Sequence, residues 1–219
     1  MKYIGTLLIA LPLLIVSCKK DHDGDQPPAG EDYGCIERIF IKKNEHTINS
    51  ADVPTVDKLF SDNGINNSNF RYFRHRLVTQ QNQSTSYDKY DYIYVDQFAK
   101  DLRVFHAVGI FSFKNDILYY AEPNPIDVSE LDTISRCTLP RLRKLFLYDL
   151  EKYYSRQTNY SDTCFNAEFG FLKIHGSREE GDKFIKAWRV TTKNRPLYPE
   201  GYYDGEGNKI LFSSGIFAI

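Results

Sequence analysis

Few residues in this chain have types and spacing that could carry chemistry. Five histidines are spread along it, His22, His46, His75, His106 and His175, and none stands in the His-Glu-x-x-His spacing that places two imidazoles on one helix face for a zinc ion. Zinc-peptidase chemistry is therefore excluded on motif grounds. His106 lies inside the apolar run "RVFHAVG", where a satisfied strand histidine is the ordinary expectation and a metal ligand the exceptional one. The cluster Arg71, Arg74, His75 and Arg76 could receive a carboxylate or phosphate, although charges on alternating strand faces also simply cover an exposed sheet. Glu179 and Glu180 belong to the turn "GSREEGDK" and read as solvent-facing rather than as a general acid and base. Ser213 and Ser214 have no nucleophile-elbow context. Tyr90, Tyr92 and Tyr94 could stack on sugar rings, but the alternation leads us to expect a tyrosine face packed under a helix. The expectation is a protein without catalytic residues, metal or cofactor.

The four cysteines say more. Lys2 precedes an apolar run from Ile4 to Val16, which is too short for the roughly 20 residues of a spanning helix and has the form of an export signal. Where a cleavage site belongs, Ile15-Val16-Ser17-Cys18 resembles the lipobox of bacterial lipoproteins. The resemblance implies that residues 1–17 are a signal peptide and that the Cys18 thiol is acylated, anchoring the mature chain in a bilayer. The following "KKDHDGD" resembles the tag of Bacteroidota surface lipoproteins, which implies the outer membrane and its outer surface. Asp21, Asp23 and Asp25 depart from the EF-hand order, so residues 18–33, with "QPPAG" inside them, read as a solvated tether and not as a calcium loop.

The elements that must hold the remaining residues follow from periodicity. "CIERIFIKK" alternates as a short strand, and "NSADVPTVDKLFSDNGI" reads as a helix with Pro54 in its first turn and Gly64 as its stop. Strand patterns then run from Phe70 to Val78, through "YDKYDYIYVDQF" and "LRVFHAVGIFSF", and by the turn "KND" into "ILYYAE". A second helix, "CTLPRLRKLFLYDLEKYY", places Leu142, Leu145, Phe146 and Leu150 at helical spacing. Strand-like runs follow it at 167–175, 184–192 and 198–203, and "DGEGN" is a hairpin signal leading into 209–217. The fold class expected is α+β, built as two helix-plus-antiparallel-sheet units. A formal net charge of -1 gives no electrostatic case for nucleic acid as a partner.

Past Cys18, an oxidising compartment favours one disulfide among Cys35, Cys137 and Cys164. The second helix would hold Cys137 and Cys164 on the order of 20 Å apart at 1.5 Å per residue. The bridge expected is therefore Cys35 with Cys164, leaving Cys137 as a thiol.

"YIYVDQFAKDLRVFHAVGIFSFKNDILYYA" resembles the fungalysin/thermolysin propeptide (FTP) motif, with Gln97, Leu102, Val104 and Phe105 at matching positions and Asp101 and Arg103 departing from it. "KAWRVTTKNRPLYPEGYYDGEGNKILFSSG" resembles the end of a PepSY domain. These resemblances imply an FTP-like unit at 34–125, a PepSY-like unit at 126–219 and cystatin-like folds. They also imply a protein partner, a protease among the candidates, since such domains fold and inhibit metalloproteases. Gln97 and Arg103, with Arg71 and Arg74, are the candidate binding residues, and a glycan is the alternative ligand.

Overall fold

The structure is a computed structural model that describes residues 34–82, 86–123, 125–153, 163–176, 181–193 and 195–213. Cys18, the tether, Glu179, Glu180 and Ser214 lie outside the described residues. Strand β1 (Ile36–Ile39) is followed by helix α1 (Val53–Asp62), whose Val56, Leu59 and Phe60 are buried along one stripe. Pro54 suits the first turn because no helical partner awaits its missing N–H. Gly64, at φ 67°, turns the chain away after the helix. Four strands follow: β2 (Phe70–Gln81), β3 (Tyr87–Ala99), β4 (Leu102–Lys114) and β5 (Ile117–Glu122). Helix α2 (Leu139–Tyr153) then leads to β6 (Phe165–Ile174), β7 (Lys183–Thr192), β8 (Arg195–Asp204) and β9 (Lys209–Ser213).

The nine strands among the described residues belong to one mixed sheet, in the order β2-β3-β4-β6-β7-β8-β9, with β5 beside β4 and β1 beside β6. This corrects the expectation of two separate helix-plus-antiparallel-sheet units of cystatin/PepSY type. Two parallel pairings make the difference: Val104 and Phe105 with Phe171 and Leu172, and the whole of β1 with Phe165–Glu168 of β6. Antiparallel hairpins leave turn signals in the sequence, whereas a parallel contact between distant segments leaves none. Strand β4 changes neighbour along its length, pairing with β6 at 104–105 and with β5 at 110–114. The change follows His106, whose φ of 62° reverses the facing of the residues beyond it. Gly170 permits the join, because a Cβ there would stand 2.4 Å from the Arg103 carbonyl oxygen.

One face of the sheet carries the helices. Val56, Leu59 and Phe60 pack on Tyr72, Ile93, Val95, Phe111 and Phe113. Leu142, Phe146 and Leu150 pack on Phe165, Ala167, Phe169, Trp188 and Tyr203. The expected disulfide forms between Cys35 and Cys164, with Cα atoms 4.5 Å apart. Arg143 is fully buried against it, with Nη1 donating to the Cys35 carbonyl at 3.0 Å and to the Thr163 carbonyl at 2.6 Å. Cys137 remains a buried thiol just before α2, and burial pushes its pKa up, which suppresses the reactive thiolate.

Candidate functional site

Strand alternation places charged and aromatic residues on the face away from the helices. Asp96, beside Arg71 in the β2 and β3 register, accepts from Arg71 Nη1 at 2.9 Å and from Arg103 Nη2 at 2.7 Å. Arg103 Nη1 then stands 3.6 Å from Glu168, and Arg189 Nη1 lies 3.9 Å from the same carboxylate oxygen. Arg189 Nε donates to Glu200 at 2.8 Å, and the Tyr202 hydroxyl donates to that oxygen at 3.2 Å. The row of alternating charges thus crosses β2, β3, β4, β6, β7 and β8. Glu168 is its weakest point. It is 3% exposed, and among the described residues neither carboxylate oxygen has a hydrogen-bond partner. Burial pushes its pKa above the ordinary carboxylate value, and the coulombic pull of Arg103 and Arg189 only partly opposes that. His106 packs edge-on against Tyr202 at 5.0 Å, and burial lowers its pKa.

A cavity of about 520 Å³ opens where β6 passes from its pairing with β1 to its pairing with β4. Ile39, Phe40, Leu102 and Phe169 supply apolar walls, and Arg103 and Glu168 belong to its lining. The carboxylate oxygens of Glu168 are themselves closed off from solvent, so the cavity as it stands offers mainly an apolar surface. Among the described residues no group of three or more His, Cys, Asp and Glu side chains is placed to hold a metal ion.

The surface toward the β2 side is different in kind. Arg74 pairs in register with Tyr94 and Arg76 with Tyr92. The Arg74 guanidinium lies 5.2 Å from the centroid of the Tyr94 ring, a cation–π contact. Tyr90 and Tyr92 are stacked at 6.4 Å, and Tyr119 from β5 stands edge-on to Tyr90 at 6.2 Å. These tyrosines are not under a helix: α1 covers Ile93 and Val95, the alternate residues, and leaves the tyrosine side half-buried and open. Among the described residues strand β2 is also an edge, paired only with β3. Its outer backbone is partly covered at one end, where Thr47 N donates to the Tyr72 carbonyl at 2.9 Å and Tyr72 N donates to His46 Nδ1 at 3.0 Å.

The basic cluster read from the sequence is therefore divided. Arg71 is committed to Asp96, and His75 turns to the helix side, where Nε2 meets Asp91 at 2.8 Å. Arg74 and Arg76 remain exposed. Gln97 is 5% exposed, which removes it as an outward contact residue, and Arg103 is held within the charged row. Asp96, Glu168, Arg189 and Glu200 were not singled out by sequence reasoning. The available signal was an acid inside an apolar run, as in "YVDQF" and "NAEFGF", a context that a strand tolerates only with a partner cation. Comparison with protein-family models, with curated proteins and with solved structures returns no match. Among the described residues no helix is long and apolar enough to cross a membrane.

Proposed function

We propose that this protein is a non-enzymatic binding module of the cell envelope, held to the outer membrane through an acylated Cys18, which takes a protein partner at the β2 side of its sheet. The observation that carries the reading is the open β2 edge flanked by exposed Arg74 and Arg76 and by the tyrosines of β3. Tyr and Arg are the side chains that most often anchor protein interfaces, and an edge strand adds backbone donors and acceptors. Exposed Ile117 and Tyr119 on β5 extend the same surface, at 69% and 52% exposure. A stable complex would cover about 1,600 Å². The FTP and PepSY resemblances make a secreted protease the first partner to test.

The experiment is a pull-down from the native envelope, comparing wild type with the double variant Arg74→Glu/Arg76→Glu. Capture of a defined protein that the double variant loses supports the reading. One observation favours a second one: Tyr90, Tyr92 and Tyr94 lie on the face free of helices, where rings can stack on sugars. Recovery of no protein, together with specific retention of a polysaccharide, replaces the protein partner with a glycan.

A further inference from the structure

Resting on the protein-partner reading above, we infer that the stretch Arg74–Gln81 of β2 accepts an extended segment of the partner as an added strand, and that this segment carries acidic residues two positions apart with an apolar residue beside them. The edge is available there. The segment Glu45–Thr47 lies along β2 only near Arg71–Phe73, through the Thr47 to Tyr72 backbone bond and the Arg71 Nε bond to the Glu45 carbonyl at 2.7 Å. From Arg74 onward the sole strand beside β2 among the described residues is β3. An unpaired edge of this kind is the template used in strand addition, where main-chain bonds supply affinity and alternate side chains supply specificity.

Charge decides what the added strand must carry. Arg74 and Arg76 are two residues apart and so project from one face of the strand. Both are exposed, and among the described residues neither has a carboxylate partner; Arg74 lies over Tyr94 instead. The other arginines of this face, Arg71, Arg103 and Arg189, each hold an acid. Residues directly opposite in a new ladder come within about 4.5–5.5 Å, so acids two apart on the incoming strand meet the two guanidiniums. The residue between them, His75, turns to Asp91 on the other face, and on that face Leu77, next after Arg76, stands 56% exposed and offers an apolar contact to the position opposite it. The recognised pattern is thus two acids two positions apart, opposite Arg74 and Arg76, followed by an apolar residue opposite Leu77.

The test uses the full-length protein in detergent micelles and synthetic eight-residue peptides. One alternates Glu with Val, a second alternates Lys with Val, and a third repeats the first with every backbone nitrogen methylated. The Glu peptide should bind at least tenfold more tightly than either of the others. The variant Arg74→Glu/Arg76→Glu, changed at exposed positions that leave the core untouched, should lose the Glu peptide by a similar factor and gain the Lys peptide. Failure of the Glu peptide to bind overturns the inference, as does equal binding of the methylated peptide, which would mean attraction without strand addition. Pairing of β2 with a second copy of the chain in place of the peptide overturns it as well. If a protein is still captured from the envelope while the Glu peptide fails, strand addition alone is lost and the protein-partner reading stands.

Discussion

Asp96 is the residue on which the charged row depends, because two guanidiniums from different strands converge on its 4%-exposed carboxylate. Replacing it with Asn removes the charge and leaves Arg71 and Arg103 facing a neutral amide. Loss of one member of a buried ion pair costs about 3–5 kcal/mol, and the partial exposure of both arginines sets the expectation for Asp96→Asn at ~3 kcal/mol. Urea unfolding should show a lower midpoint with an unchanged slope. Glu168 gives the opposite sign. Its folded pKa is raised, mainly by burial, so the unfolded chain ionises first as pH climbs past the ordinary glutamate value of 4.5. The stabilisation present below that value is lost as pH rises through the folded pKa. Glu168→Gln should therefore gain on wild type as pH increases from about 4.5. If the stability of Glu168→Gln minus that of wild type stays flat or falls from pH 4 to 8, this account is refuted. Arg71 and Arg103 were legible in the sequence as chemistry-bearing residues, but their partners were not. Asp96 and Glu168 acquire meaning only when β3, β4 and β6 lie side by side, whereas the alternation of Ile93 and Val95 already puts Gln97 on the buried face of β3, paired with Phe70.

The elements themselves were readable because their apolar periods are clear. The α1 stripe of Val56, Leu59 and Phe60 and the α2 stripe of Leu142, Phe146 and Leu150 are buried as the spacing requires. Pairing was not readable where it depends on non-local parallel contacts. The short contact between β4 and β6 is the join that turns two hairpin systems into one sheet, and Gly170 stands just before its paired Phe171 and Leu172. Gly170→Ala would drive a methyl against the Arg103 carbonyl and to 2.9 Å from the Phe105 ring, at a cost of about 1–3 kcal/mol for overpacking. Hydrogen exchange should show the loss of protection concentrated at Val104 and Phe105, whereas an undiminished β4 would count against Gly170 as the join. The disulfide is the second fastening. It was legible from the sequence because α2 separates Cys137 from Cys164, and it closes a sequence separation of 129 residues beside the β1–β6 pairing. In the chain-entropy account a loop of this size is worth up to ~5 kcal/mol, so Cys35→Ser/Cys164→Ser should unfold at markedly lower urea.

At the scale of the whole molecule, the proposed role requires the sheet to be displayed at a surface while its β2 side stays open to a partner. Residues 18–33 are the connection proposed from the sequence. The acyl anchor proposed on Cys18 would hold the chain by burying methylene groups at ~0.8 kcal/mol each. Binding and anchoring are then separable. Cys18→Ser should abolish lipid attachment, so the chain should leave the detergent phase in a phase-partition experiment and metabolic labelling with a fatty acid should no longer mark it. The same variant should still capture its protein partner in solution, with the affinity of wild type and the same sensitivity to Arg74→Glu/Arg76→Glu, because the β2 edge lies in the folded sheet and not in the tether. A Cys18→Ser chain that still partitions with detergent and still takes up fatty acid would remove the anchor. A released chain that no longer binds its partner would show instead that recognition needs the membrane surface as well as the sheet.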